Sequence, residues 1–166
     1  MFKIGDAVIH PAEGVCEITE ITKKDFSGTI AEYYVLKSVY DGHSTVYIPV
    51  ETVKIRPKIR LVLNEAQIWK IIDSLESNEP VKTDNDNHRR QLFKEILASG
   101  DTAEIGRVLT TIHRLKKEIQ KSGKKIKVSD ERIIKETEHS VFSEFAFSLG
   151  MTPDEIPAYI DDRING

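Results

Sequence analysis

FKIGDAVIHPAEGVCEITEI, residues 2–21, is the most heavily punctuated stretch of this chain and decides the fold of its first part. Gly5-Asp6 predicts a turn and residues 7–10 a short strand, followed at residues 11–14 by a second turn in which proline presets φ and glycine accepts φ > 0. Residues 15–21 then alternate with period two, as a half-buried strand does. One face is predicted to carry Val15, Glu17, Thr19 and Ile21, and the other Cys16, Ile18 and Glu20.

Three further strands are predicted before Arg60. Residues 30–37 are dense in Tyr, Val and Leu, and Asp41-Gly42 is a hairpin signal that joins them to a strand over residues 44–50. A last short strand is predicted over residues 52–55. About five short strands in so few residues favour a strongly bent sheet or a small barrel, which closes otherwise vulnerable sheet edges.

From Leu61 onward the apolar spacing becomes helical. About five helices are predicted, with a polar loop over residues 77–87 between the first two. Their predicted starts are Asn64 with Gln67, His88, Asp101 with Glu104 as a capping box, Ser129, and Thr152 followed by Pro153. The chain is therefore predicted to be α+β in two domains, a β-domain over residues 1–60 and an all-α bundle over residues 61–166.

The sequence argues against catalysis. The five His residues have no metal-ligand spacing, no second Cys accompanies Cys16, and no phosphate loop or nucleophile elbow occurs. The helical carboxylates Glu136, Glu138 and Glu144 are interpreted as a solvated face. We therefore expect that the protein is not an enzyme and that it binds no metal, cofactor or small-molecule substrate. No apolar run reaches membrane-spanning length and no signal peptide is visible, so a cytoplasmic protein without membrane contact is expected.

The net charge of −3 conceals a strongly polarised chain. Residues 88–132 contain twelve Lys and Arg against six acids, whereas the segments on either side are acidic. Such a block can form an electrostatic footprint for phosphates, although a solvated charged face is the alternative because the six acids are interspersed. The candidate phosphate contacts are His88, Arg89, Arg90, Lys94, Lys124, Lys125 and Arg132.

The apolar strand over residues 44–50 permits two interpretations. It is either ordinary core or an edge whose main chain pairs with a partner's sheet, and periodicity does not distinguish them.

Three motifs in order, FKIGDAVIHPAEGV at residues 2–15, AEYYVLK at 31–37 and VYIPV at 46–50, resemble the CarD/CdnL family of bacterial transcription regulators. The resemblance implies a Tudor-like barrel that binds the lobe of the RNA polymerase β subunit by intermolecular strand pairing. The contacts it implies are Lys24, Phe26, Val46, Tyr47 and Ile48. A proline at Val46 is then expected to delete a donor of the intermolecular ladder.

The same resemblance implies that the helical domain contacts promoter DNA, independently of sequence, and modulates the stability of the open complex. The family places a Trp wedge in the slot just before a pair of arginines, which here are Arg89 and Arg90. This chain has Asp86, Asn87 and His88 in that slot. Two other functions stay open. One is a polymerase or protein adaptor without DNA contact; the other is a barrel that binds a different protein, such as a repair factor.

Overall fold

A computed structural model describes residues 1–40, 42 and 44–166 and divides into two compact units, Met1–Val62 (unit 1) and Leu63–Gly166 (unit 2). The hairpin turn predicted at Asp41-Gly42 involves a residue outside this description. Unit 1 contains β1 (Ala7–His10), β2 (Gly14–Asp25), β3 (Ile30–Ser38), β4 (Thr45–Pro49), α1 (Val50–Ile55) and β5 (Arg60–Leu61). Unit 2 contains α2 (Glu65–Asp73), α3 (Asp86–Ser99), α4 (Thr102–Ser122), α5 (Val128–Leu149), a 3-10 turn (Pro153–Glu155) and α6 (Ile156–Asn165).

Unit 1 is an open antiparallel sheet with the strand order β4-β3-β2-β1-β5. The predicted closed barrel is therefore wrong for the part of the chain that the structure describes: β4 and β5 are edges and do not pair with each other. The predicted last strand over residues 52–55 is also wrong, since the chain enters α1 directly after Pro49. Val50 and Val53 are both buried, and a spacing of three residues places them on one side of a helix.

A β-bulge in β2 corrects the predicted alternation. The pairing with β3 moves from Ile18↔Leu36 to Glu20↔Val35, so Thr19 is an extra residue in its strand. Ile18 and Ile21, which simple alternation places on opposite faces, consequently share the face that packs on the core. The buried core of unit 1 comprises Val8, Cys16, Ile18, Tyr34, Leu36, Ile48, Val50, Val53 and Ile59.

Two of the predicted helix starts in unit 2 are confirmed as capping boxes. Asn64 accepts from the backbone N–H of Gln67, whose side chain accepts in return, both at 2.9 Å. Thr152 and Glu155 form the same reciprocal arrangement at the 3-10 turn.

Two other predicted starts need correction. Asp101 accepts from the N–H of Glu104, but its own N–H donates to the Ser99 hydroxyl, so the box is half formed. Ser129 caps nothing, because α5 already begins at Val128 and has no side-chain cap.

Contacts between helices explain two further features of the sequence. The single Trp, Trp69 of α2, donates its indole N–H to the Tyr159 hydroxyl of α6 at 2.8 Å, and the Arg163 guanidinium lies 5.0 Å from its ring centroid. The polar loop predicted at residues 77–87 is bound to α4: Arg107 donates to two of its carbonyls and Arg114 to a third.

Glu144 contradicts the interpretation of its helix carboxylates as a solvated face. It is buried, and its carboxylate accepts from the backbone N–H of Leu63 at 2.8 Å. The Ser148 hydroxyl donates to the carbonyl of the same Leu63 at 2.6 Å. Leu63 lies between β5 and α2, so its own N–H and carbonyl are not bonded within a helix or a strand. Side chains of α5 provide the partners that these buried main-chain groups need.

Candidate interaction surfaces

β4 is an edge strand, which the apolar periodicity could not decide. The Ser38 N–H donates to the Ser44 carbonyl at 3.3 Å, marking these two as a hydrogen-bonded pair. Such pairs alternate along an antiparallel ladder with pairs that exchange no hydrogen bond. Val46 therefore directs its main-chain groups toward β3, and Thr45 and Tyr47 direct theirs toward the open edge.

This alternation of inward and outward main-chain groups corrects the expectation that a proline at Val46 would delete a bond to a partner. The Val46 N–H belongs to the internal ladder, so its loss would break the sheet itself rather than a bond to a partner. The side chains of Val46 and Ile48 likewise pack on the core of unit 1, and Ile48 is buried. These two predicted contacts lie on the edge strand but do not present their side chains to a partner.

The opposite face of the sheet carries an aromatic cluster, which we call the aromatic face: Phe26, Tyr33 and Tyr47. Phe26 lies edge-on to both tyrosines, with ring centroids 5.0 Å from Tyr33 and 5.3 Å from Tyr47. Phe26 is 57% exposed and Tyr47 42%. The predicted contact Lys24 is exposed on the same side, because it pairs with Ala31, two residues before Tyr33. Large exposed rings next to an open strand edge are suited to protein recognition.

Tyr33 is the member that the sequence prediction missed. The alternation of β3 could have found it, since Tyr34 belongs to the core and its neighbour must then face the other way.

In unit 2 the predicted phosphate contact Arg89 is mostly buried. Its side chain is 15% exposed and its guanidinium bonds the Asp130 carboxylate at 2.9 Å, with Asp86 at 3.5 Å. Its Nε is buried and has no hydrogen-bond partner among the residues that the structure describes. Arg89 therefore joins α3 to α5 rather than facing solvent.

Arg90 and Arg132 share one carboxylate, and we call these three residues the Glu136 cluster. Arg90 donates from Nε and Nη2 to the two oxygens of Glu136 at 3.0 and 2.9 Å, and Arg132 donates from Nε at 3.1 Å. The bonds from Arg90, followed by that from Arg132, hold the pKa of Glu136 below its ordinary value although partial burial opposes this shift. The carboxylate is thus charged and bound to both guanidiniums.

The exposed cations without a carboxylate partner lie elsewhere. Lys94 is exposed on α3, and Lys124 and Lys125 are exposed in the loop between α4 and α5. With their exposed neighbours they form what we call the lysine tip, which comprises Lys117, Lys121, Lys124, Lys125 and Lys127. Within the described part of the chain, no carboxylate lies within ion-pair distance of Lys94 or of the tip.

The slot before the paired arginines is the first turn of α3. Asn85 caps this turn by accepting from the His88 N–H at 2.9 Å. The His88 ring is exposed, and its Nδ1 accepts from the Asp84 N–H at 3.2 Å. No apolar side chain projects from Asp86, Asn87 or His88, so the slot provides no wedge.

The described residues contain no group of three His, Cys, Asp or Glu that could hold a metal ion. A helix long and apolar enough to cross a membrane is likewise absent from the part of the chain described.

Comparison with known proteins assigns both units. Residues 2–62 match the CarD-like/TRCF RID domain, and residues 70–161 match the CarD C-terminal domain. This chain belongs to the CarD family. It is a transcription regulator that interacts with RNA polymerase through its CarD-like N-terminal domain. It is also similar to a Bacillus subtilis (strain 168) protein named "Putative transcription factor YdeB", with 24% identity over 159 residues that cover 96% of this chain and 99% of that protein.

Proposed function

We propose that this CarD-family protein pairs the open edge of β4 with the lobe of the RNA polymerase β subunit and contacts promoter DNA through the lysine tip. It thereby alters the stability of the open complex. The observation that carries the polymerase contact is the unpaired edge of β4, with main-chain groups of Thr45 and Tyr47 directed outward beside the aromatic face.

We call the open edge of β4 and the aromatic face together the docking surface, and its two parts contribute differently to binding. Main-chain hydrogen bonds to an added strand supply affinity with little dependence on sequence. The exposed rings of Phe26 and Tyr47 offer large apolar area of the kind that dominates binding energy in protein interfaces. Lys24, on the same face, adds a positive charge that favours an acidic partner surface.

The proposed DNA contact rests on the lysine tip. Five exposed lysines within eleven residues, with no carboxylate at ion-pair distance among the described residues, give a concentrated positive surface. Lysines bind phosphate as point charges and read no base, so the contact is expected to be independent of sequence.

Regulation then follows from differential binding. A protein that holds polymerase and contacts DNA shifts the equilibrium between closed and open promoter by its difference in affinity for the two states. This chain lacks an apolar wedge in the slot before Arg89, so the lysine tip supplies the proposed DNA part of that difference.

A second function, an adaptor that binds polymerase without touching DNA, is favoured by one specific observation. The arginines that the family places near DNA are engaged by Asp130 and Glu136. In that case the docking surface on unit 1 would be the whole interface.

The polymerase contact is tested with the full chain and a purified β-lobe fragment. Phe26→Ala combined with Tyr47→Ala should weaken binding by about tenfold or more, as truncation of aromatic anchors usually does. Leu61→Ala is the matched control, since Leu61 is an exposed apolar side chain on the opposite edge strand. Equal affinities of the double variant and this control would contradict the proposed docking face.

The DNA contact is tested by titrating duplex DNA at several salt concentrations. Lys124→Gln combined with Lys125→Gln should reduce the slope of log K against log salt by about 0.7–0.9 for each phosphate that the variant no longer neutralises. The control is Lys70→Gln combined with Lys82→Gln, which removes the same charge from exposed positions in the acidic segment of unit 2. An unchanged slope in the first variant would favour the adaptor.

A further inference from the structure

The Glu136 cluster differs from the other ion pairs of unit 2 because one carboxylate holds two arginines. Arg90 and Arg132 come from α3 and α5, and both donate to Glu136 within 3.1 Å. The cluster is reachable from solvent, since the side chain of Arg132 is 59% exposed and that of Arg90 is 36% exposed.

The two guanidiniums retain unused donors. Arg90 engages Nε and Nη2, and Arg132 engages Nε, so Nη1 of Arg90 and both Nη atoms of Arg132 have no bond within the described chain. Two guanidinium charges against one carboxylate leave the cluster with a net charge of +1. A guanidinium binds phosphate in the same forked geometry as it binds a carboxylate.

Arg89 provides the contrast. Its guanidinium has two carboxylates nearby and is mostly buried, so its ion pair with Asp130 joins helices and offers nothing to an external anion. The two neighbouring arginines of α3 thus have different environments.

Arg132 is also close in sequence to the lysine tip, five residues after Lys127, which immediately precedes α5.

We propose that Arg90 and Arg132 form a binding site for a DNA backbone phosphate and that Glu136 opposes its occupancy as an internal competitor. The inference rests on the proposed DNA contact of unit 2. The carboxylate occupies donors that a phosphate would use and repels the phosphate charge, so the native chain binds DNA more weakly than its arginines permit.

The test compares two carboxylates of α5 that are each paired with a cation. Glu136→Gln removes the competitor, and Glu131→Gln removes the same charge from a pair with Lys135. In the full chain, Glu136→Gln should raise affinity for duplex DNA by up to about fivefold more than Glu131→Gln does, the equivalent of one exposed ion pair. It should also steepen the salt slope by about 0.7–0.9. Equal effects of the two variants would overturn the proposal.

Arginine variants keep the test valid if Glu136→Gln disturbs the packing of α3 on α5. Arg132→Gln leaves the two bonds between Arg90 and Glu136 in place and should weaken DNA binding more than Lys135→Gln, an exposed cation on the same helix. In the Glu136→Gln background, Arg132→Gln should remove the gain. A gain that persists without Arg132, or an equal weakening by Arg132→Gln and Lys135→Gln, would refute the site.

Two further measurements distinguish failure of the competitor role from failure of the proposed DNA contact, and identify the ligand. If Lys124→Gln with Lys125→Gln abolishes DNA binding while Glu136→Gln changes nothing, the DNA contact stands and the competitor role fails; if no variant binds DNA, both fail. Inorganic phosphate added at constant ionic strength should displace DNA only slightly better than chloride does, because one free phosphate replaces a single contact of the DNA backbone. Strong displacement would assign the site to free phosphate and overturn the DNA assignment.

Discussion

The open edge of β4 leads to a prediction about a single backbone hydrogen. The Tyr47 N–H is directed away from β3, so Tyr47→Pro deletes an outward donor without removing a bond of the internal ladder. Tyr47→Ala removes the ring but keeps the N–H. The ratio of the two affinities for the polymerase β lobe therefore isolates the main-chain bond from the aromatic contact.

The expected size follows from how few outward donors the strand has. Thr45 and Tyr47 supply them, and Pro49, the next residue of this parity, has no N–H. Loss of one donor leaves a partner carbonyl unpaired in the interface, which costs about 1–3 kcal/mol. Tyr47→Pro should accordingly bind the lobe about 5- to 150-fold more weakly than Tyr47→Ala.

The assay is calorimetric titration of the full-length variants with the β-lobe fragment. Circular dichroism and urea unfolding verify the fold, which an edge strand should retain because proline is tolerated there. Val46→Pro serves as the opposite control, since it removes an internal ladder bond and should lower the free energy of unfolding of unit 1. If folded Tyr47→Pro binds as tightly as Tyr47→Ala, strand addition at β4 is refuted.

Three other expectations can be measured directly. Glu144→Ala should lower the free energy of unfolding of unit 2 by about 1.5–3 kcal/mol, because a buried N–H loses a charged acceptor; urea unfolding followed by fluorescence of the single Trp reports it, and a decrease no larger than for Glu138→Ala would contradict it. The pKa of Glu136 is lowered from its ordinary value of 4.5, so its stabilising pairs are complete above that pH and are lost as the pH falls through the lowered pKa. The difference in unfolding free energy between wild type and Arg90→Gln should therefore shrink below pH 4.5, and a constant difference would exclude the linkage. Asn87→Trp places an apolar ring in the wedge slot and should lengthen the lifetime of open promoter complexes, whereas Asn87→Ala should change it little.

Local patterns predicted much of the fold because the forces that form these elements act over a few residues. The turns around β1, the capping box at Asn64 and the 3.6-residue stripes of unit 2 are all encoded within one or two turns of chain. The bulge at Thr19 was missed because an extra residue in one strand is defined only by its partner strand. Helix α1 was missed because a run of β-branched residues favours a strand until the burial of Val50 and Val53 is known.

The candidate sites were harder to predict because the sequence around a charged residue does not reveal which distant residue it will pair with. Arg90 meets Glu136 across 46 residues, and Glu144 meets Leu63 across 81 residues. Both acids belong to a helix whose polar positions look alike in the sequence. The aromatic face was partly visible, since Phe26 and Tyr47 were predicted as contacts and the parity of β3 would have added Tyr33.

The charge of the basic block illustrates how far tertiary pairing changes a count made along the chain. Of the twelve Lys and Arg in residues 88–132, five form ion pairs with carboxylates: Arg89, Arg90, Arg107, Lys116 and Arg132. The other seven have no carboxylate within ion-pair distance among the described residues: Lys94, Arg114, which donates to the Asn78 carbonyl, and the five lysines of the tip.

The seven cations without a carboxylate partner set an upper limit on what the basic block, paired as it is in this structure, can offer to DNA. If DNA contacts this block alone, the slope of log K against log salt should not exceed about 6 in magnitude, at about 0.9 per phosphate contact. A steeper slope then requires that a paired cation of the block also contact phosphate, and Arg90 and Arg132 are the arginines whose carboxylate holds two cations and whose side chains reach solvent. The slope of the wild type therefore tests whether these arginines already contact phosphate. The change of slope in Glu136→Gln tests whether the carboxylate limits that contact.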